Sequence, residues 1–175
     1  MKFYSEIYKA FIIAGIISFI ISMATTGKVS YGGQVAGYAS LVVGIMLILL
    51  VLFYNLMNAN PDSKNAVSII SIIMTTGPFF MMFAIIGFIL YLLIENKDII
   101  INDHVAPKYK TFRNIAQVLL VLQMIIVMNK LNSESFKTTG KIGGLTASLM
   151  YLFSVFTLAC SLILYVILTY YTTDG

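Results

Sequence analysis

The sequence predicts an all-α protein, a multi-pass transmembrane helical bundle of about five spans that forms a single integral membrane domain. The first observation is compositional: of 175 residues, 59% are hydrophobic and only 10% are charged, whereas an ordinary soluble domain is about 45–50% apolar and about 25% charged. The second is that five stretches are apolar over roughly the 20 residues that a helix needs to cross a hydrocarbon core. Lipid is therefore the predicted solvent for most of the chain.

The predicted spans cover residues 10–26, 35–57, 66–94, 114–131 and 145–171. The second contains SLVVGIMLILLVLF, the strongest apolar run. The fourth is the weakest, because Gln117, Gln123 and Asn129 interrupt it, so a count of four spans stays open. Lys and Arg in alternate loops number six on one side and five on the other, and this near-balance leaves the orientation undetermined by the positive-inside rule.

The third span contains a glycine-proline pair, Gly77-Pro78, within MTTGPFFMMF. Proline lacks a backbone N–H donor and its ring clashes with the carbonyl four residues earlier, so it kinks or breaks a helix. The hydroxyls of Thr75 and Thr76 can bond to backbone groups that a kink frees. We predict one long kinked or tilted helix; the alternative is a re-entrant pair of half-helices broken at this pair.

The tetrapeptide TTGK occurs at residues 25–28 and again at residues 138–141, each time before a glycine pair and an apolar run. A phosphate-binding loop needs a glycine five residues before the Gly-Lys pair and a hydroxyl residue after it, and neither copy has them. An internal duplication stays open, because Ala-Ser-Leu follows both copies. A turn at the membrane boundary accounts for the residues most simply, since glycine permits tight turns and lysine reaches the headgroups.

Small side chains recur at four-residue spacing along the first two predicted spans. Small residues let helix backbones approach closely, which is a main source of helix association in lipid. We therefore predict that the first two spans form an antiparallel hairpin through these positions, although small residues are also common in membrane helices generally. The predicted packing residues are Ala14, Ser18, Ser22, Gly33, Gly37, Ser40 and Gly44.

The sequence lacks the residue patterns of familiar catalytic and metal sites. All seven acidic residues fall in predicted loops or at the ends of spans, whereas ion-coupled carriers usually place an ionisable group within the membrane. The single His104 lies in a loop and the single Cys160 lies in an apolar run, so no nucleophile pair or copper path is expected. We predict no enzyme activity, cofactor or metal. A passive pore lined by Gln117, Gln123 and hydroxyl residues of the fifth span remains open.

The largest predicted loop, residues 95–114, ends in a basic and aromatic segment. Its cations Lys108, Lys110 and Arg113 alternate with aromatic rings. Such a segment is suited to anionic headgroups, and docking against a protein shell is the alternative.

The segments EIYKAFIIAGIISFIIS (residues 6–22) and ATTGKVSYGGQVAGYASLVVGIMLILL (residues 24–50) resemble small multi-span virion proteins of nucleocytoplasmic large DNA viruses. The resemblance rests on a glycine-rich turn and an apolar style within about the first 55 residues. It implies a structural role in the membrane beneath the capsid, with loops that join this membrane to capsid proteins.

We therefore expect a non-enzymatic structural membrane protein of a larger assembly, in a viral inner membrane or an organellar membrane. The expected partners are membrane lipids and neighbouring membrane or capsid proteins, without nucleic acid or a small-molecule substrate. Two alternatives stay open. One is a small passive ion channel of the viroporin kind, and the other is an accessory membrane subunit of an organellar respiratory or ATP-synthase complex.

Overall fold

The computed structural model describes residues 2–59, 66–134, 136 and 142–171, and this part of the chain is helical without strands. Five helices are long and apolar enough to cross a membrane, which is the architecture of an integral membrane protein. A sixth, α4, is short. The helices are α1 (Lys2–Ala24), α2 (Gly27–Ala59), α3 (Ala66–Glu95), α4 (Lys97–Ile101), α5 (Lys108–Leu131) and α6 (Gly144–Tyr170).

Three helices begin several residues earlier than the predicted spans. Helix α1 begins at Lys2, where the span was predicted from residue 10. Helix α2 begins at Gly27, whereas the span was predicted from residue 35. Only Thr25 and Thr26 separate it from α1. Gly27 has φ 67°, a left-handed conformation that glycine adopts without steric cost. Helix α5 begins at Lys108 and forms a candidate span of 24 residues. The polar residues within it do not interrupt the helix. The five-span count therefore holds over the four-span alternative.

Helix α3 passes through the glycine-proline pair as one helix, with Pro78 in its interior. The re-entrant alternative is therefore wrong. Proline at this position removes one N–H from the ladder, and the helix continues on both sides of the gap. The Thr76 hydroxyl donates a hydrogen bond to the Ile72 carbonyl over 2.8 Å, a return to its own backbone that is common for threonine in membrane helices.

The five long helices form a closed ring, in which contacts run from α1 to α2, α3, α6, α5 and back to α1. The short α4 packs on α2 and α3 at one end of this ring. At the same end, the Tyr31 hydroxyl of α2 donates a 3.0 Å hydrogen bond to the Leu93 carbonyl of α3. We call this end the turn end, defined by residues 24–31, 93–113 and 162–171.

Apolar side chains from all five long helices fill the ring as one buried cluster. Tyr38 is the largest fully buried side chain among the described residues. Its ring meets that of Phe19 edge to face with centroids 4.9 Å apart, an arrangement that aromatic quadrupoles favour. Helix α1 lies at the edge of the cluster: 28% of Ile7–Ala24 is buried, the lowest share among the five candidate spans.

Candidate functional site

The most unusual feature of the bundle is an arginine buried near the start of α5. Arg113 is only 5% exposed, and it lies roughly 7.5 Å along the helix axis from Lys108. An ionised side chain within a transmembrane segment is costly and marks a functional site by default. The sequence indicated a headgroup or partner contact for Arg113, and this prediction is wrong, because the side chain points into the bundle. Lys108 and Lys110 are exposed, as a loop contact would require.

The Arg113 guanidinium is held by neutral oxygen acceptors. Its Nη1 donates to the Ser30 hydroxyl over 3.2 Å, and its Nε and Nη2 donate to the Asn114 side-chain carbonyl over 3.1 and 2.9 Å. Within the described part of the chain, the one ion pair observed joins Lys110 to Asp103 at 3.9 Å. The charge of Arg113 is therefore solvated by hydroxyl and amide groups rather than neutralised by a carboxylate.

The α1–α2 turn contributes to the polar cluster that surrounds Arg113. Ser30, in the first turn of α2, accepts from Arg113 and donates to the Ser22 carbonyl of α1 over 2.7 Å. Thr25 closes the end of α1 by donating to the Ile21 carbonyl over 2.6 Å. The first TTGK therefore occupies a turn between two helices at the end of the bundle, as the boundary interpretation requires. The second copy, residues 138–141, lies outside the described residues, so the duplication stays a hypothesis.

The cluster continues from the turn end into the ring. The Tyr109 hydroxyl donates to the Gln34 side-chain carbonyl over 2.8 Å. The Ser22 hydroxyl donates to the Gln117 side-chain carbonyl over 3.3 Å. Gln117 lies roughly 13 Å along the axis from Lys108. The Gln117 amide nitrogen and the Tyr38 hydroxyl are fully buried and lie close to each other, but neither makes a hydrogen bond of good geometry among the described residues. Unpaired polar groups at this depth cost stability.

A small polar cavity of about 30 Å³ lies at the mouth of this cluster, lined by the α1–α2 turn, Asp103, Tyr109, Lys110 and Arg113. This volume is enough for about two water molecules. Asp103 has φ 57°, a left-handed conformation in which aspartate is several-fold enriched. The chemistry that the cluster offers is hydrogen bonding around a permanent positive charge.

A second polar contact joins α5 to α6. The Gln123 amide donates to the Met150 carbonyl over 3.0 Å and to the Ser154 hydroxyl over 2.9 Å. Thr157 and Ser161 return their hydroxyls to carbonyls of their own helix, at 2.8 and 2.7 Å. These side chains were candidates for a pore lining, and in the structure they are buried and bonded to protein atoms.

The α1–α2 hairpin is closely packed where glycines face α1. A Cβ added at Gly33 would lie 2.8 Å from the Ser18 carbonyl, and one added at Gly37 would collide with the Phe19 ring. Gly44 lies against Ile12. The predicted Ser22 is buried, and Ser18 and Ser40 are half-buried.

Ala14 lies on the exposed side of α1, and Gly15 takes its place in the contact, against Leu41. From Ile7 to the end of α1, the buried positions are Tyr8, Ile12, Gly15, Phe19 and Ser22. They alternate four- and three-residue steps, the spacing of left-handed helix packing. A strict four-residue stripe, which the sequence interpretation used, advances 40° around the helix at each step and so leaves the contact.

The sequence interpretation missed Ser30, Gln34 and Tyr109 as members of the polar cluster. A signal was present, because polar side chains recur every four residues on both helices that face each other: Ser30, Gln34 and Tyr38 on α2, and Tyr109, Arg113 and Gln117 on α5. Such spacing places the three groups on one face of each helix. Two polar faces within apolar helices predict a buried contact between them.

The described part of the chain contains no cluster of three or more His, Cys, Asp or Glu side chains that could bind a metal ion. No protein-family model, curated protein or solved structure matches the chain.

Proposed function

We propose that this protein is a non-enzymatic structural component of a larger membrane assembly. The observation that supports this proposal best is the incomplete coverage of α1, which packs mainly on α2 and presents the rest of its surface outward. Ala10 and Ala14 lie on this outward surface, beside Ile13 and Ile17, which are more than half exposed. Small residues flanked by large apolar ones are what a further transmembrane helix needs for close approach.

The short connections at the turn end support the same proposal. Two residues join α1 to α2, and the segment from α3 to α5 holds only α4 and short turns. These connections leave no room for an independent domain. Contacts outside the membrane at this end are therefore limited to a compact surface that carries Lys97, Lys108 and Lys110 as exposed cations.

The more specific proposal is a virion inner membrane component that links the membrane to capsid proteins. Its support is the resemblance of residues 6–22 and 24–50 to small multi-span virion proteins. An accessory subunit of an organellar respiratory or ATP-synthase complex is the competing assembly, and the same helical architecture permits it.

Cross-linking mass spectrometry on native membranes or particles tests the proposal. An amine-reactive reagent should join Lys97, Lys108 or Lys110 to capsid proteins. Cross-links to respiratory or ATP-synthase subunits would instead assign the chain to an organellar complex. A chain that migrates alone and gives no cross-link to another polypeptide would contradict a role in any assembly.

A passive channel formed by one chain is less well supported, because buried apolar side chains fill the part of the ring that the structure describes. The polar cluster at the turn end is followed by buried apolar side chains such as Ile45, Met82 and Met124. Ion flux through liposomes that contain the purified chain separates the two functions. The structural proposal expects flux no greater than that of empty liposomes, and sustained flux that scales with protein would support the channel.

A further inference from the structure

A groove of about 790 Å³ lies at the turn end between the start of α5 and the last turns of α6. On the α5 side it is lined by Lys108 and, one turn later on the same face, by Phe112. On the α6 side its wall consists of aliphatic side chains, including Leu162, Ile163 and Val166. A volume of this size is within the range of about 300–1,000 Å³ typical of ligand sites.

The groove lies at the neighbouring ends of two candidate membrane spans, α5 and α6. Tyr171, which follows the last residue of α6, and Pro107, which precedes the first residue of α5, both line it. Tyrosine and lysine at the ends of transmembrane helices characteristically sit at the headgroup level. The aliphatic wall therefore lies at the depth of acyl chains, and the polar rim lies at the depth of lipid phosphates.

The charge at the rim is positive and is not neutralised within the described structure. Lys108 is exposed, and the neighbouring Asp103 pairs instead with Lys110. Helix α5 begins at Lys108 without a side-chain cap, so the positive end of its dipole faces the same rim. A phosphate group placed there would meet both the Lys108 ammonium and the positive end of the helix dipole.

We propose that this groove binds one anionic phospholipid of the surrounding membrane. Its acyl chain lies along Phe112 and the aliphatic wall of α6, and its phosphate contacts the Lys108 ammonium. Because a lipid in the bilayer already lies parallel to the helices, binding needs only lateral diffusion into the groove. This proposal depends on membrane insertion and is independent of the assembly in which the chain functions.

Native mass spectrometry of the full-length protein in mild detergent tests the charge recognition. The probe is an equimolar mixture of dioleoylphosphatidylglycerol and dioleoylphosphatidylcholine. The wild-type chain should retain one phosphatidylglycerol in preference to phosphatidylcholine. Lys108→Gln should lower this preference about fivefold, since one lysine near an anionic lipid is worth about 1 kcal/mol. The control Lys97→Gln, an exposed lysine that does not line the groove, should retain it.

A second pair of variants tests whether the acyl chain occupies the groove itself. Val166→Trp fills the groove and should reduce retention of both lipids. Val155→Trp makes the same change at an exposed position of the same helix outside the groove, and should leave retention unchanged. Ile163→Trp provides a second groove-filling variant if Val166→Trp loses its helical circular dichroism.

Two results would overturn the proposal. One is equal retention of the two lipids by the wild-type chain. The other comes from a photoreactive amino acid at Leu162 in native membranes: adducts with a polypeptide, either a second copy or another protein, would assign the groove to a protein partner. The proposal expects adducts with phospholipid.

Discussion

The Arg113 guanidinium reaches across the ring to donate a 3.2 Å hydrogen bond to the Ser30 hydroxyl, which in turn donates to the Ser22 carbonyl. This relay joins the second turn of α5 to the first turn of α2 and the last turn of α1. The relay therefore ties the fourth span, α5, to the hairpin formed by α1 and α2. Of these two helices, only α1 has its backbone close to that of α5.

Ser30→Ala tests the energetic importance of the relay. Removing the hydroxyl leaves one Arg113 N–H donor buried without its acceptor, so the free energy of unfolding should fall by about 1–3 kcal/mol. The measurement is reversible unfolding in mixed detergent micelles, followed by circular dichroism. Ser148→Ala, which alters an exposed serine of α6, should change it by less than about 0.5 kcal/mol. Equal losses in the two variants would mean that the relay does not stabilise the bundle.

A pair of adjacent glycines tests the hairpin contact. Gly33→Ala places a methyl group 2.8 Å from the Ser18 carbonyl, and the α1 backbone must move to relieve the clash. Overpacking of this kind costs about 1–3 kcal/mol. Gly32→Ala is the matched control, because a Cβ there meets open space and alanine favours helix by about 1 kcal/mol. Thermal unfolding should separate the two variants in opposite directions, and a Gly33→Ala chain as stable as Gly32→Ala would contradict the contact.

Because α3 is one continuous helix, its two ends should lie on opposite sides of the membrane. In a Cys160→Ala background, single cysteines are introduced at Ala66, Glu95 and Thr26, and a membrane-impermeant maleimide is added to sealed proteoliposomes of uniform orientation. Cysteines at Glu95 and Thr26 should react from the same side, because both lie at the turn end. A cysteine at Ala66 should react from the other side only. Labelling of Ala66 and Glu95 from one side would restore the re-entrant interpretation.

Gln123→Leu tests the polar contact between α5 and α6. The substitution removes two hydrogen bonds, to Met150 and Ser154, and keeps a side chain of similar size. Hydrogen bonds between membrane helices contribute about 0.6 kcal/mol on average and about 1.7 at most, so a loss in this range is expected from detergent unfolding. Asn129→Leu, at an exposed position of the same helix, is the control. An unchanged free energy in Gln123→Leu would show that water or lipid satisfies the partners equally well.

Much of the fold follows from hydropathy, which needs no knowledge of neighbours. The five apolar stretches correspond to the five candidate spans, because the cost of exposing backbone and apolar groups to the wrong solvent depends only on local sequence. The boundaries were less predictable: α2 begins at Gly27 and α5 at Lys108. Polar residues there continue a helix because some of their side chains, such as those of Gln34 and Arg113, are buried against other helices.

The candidate site shows the opposite balance. Arg113 stood in the sequence beside Lys108 and Lys110 as one of three similar cations, yet only Arg113 points into the bundle. Its position on the helix face that meets α1 and α2 makes the difference, and a linear sequence does not state which helix lies opposite. The same reasoning applies to Ala14 and Gly15, one of which faces outward and the other into the hairpin.

The sequence by itself determined that the chain is helical, that about five segments suit a bilayer, and that TTGK at residues 25–28 makes a turn. The tertiary structure alone decided which polar side chains meet, that the ring closes from α5 to α1, and where a groove remains between α5 and α6. The physical reason is range: solvent preference is a property of each segment, whereas hydrogen bonds and packing depend on distances between segments far apart in the chain.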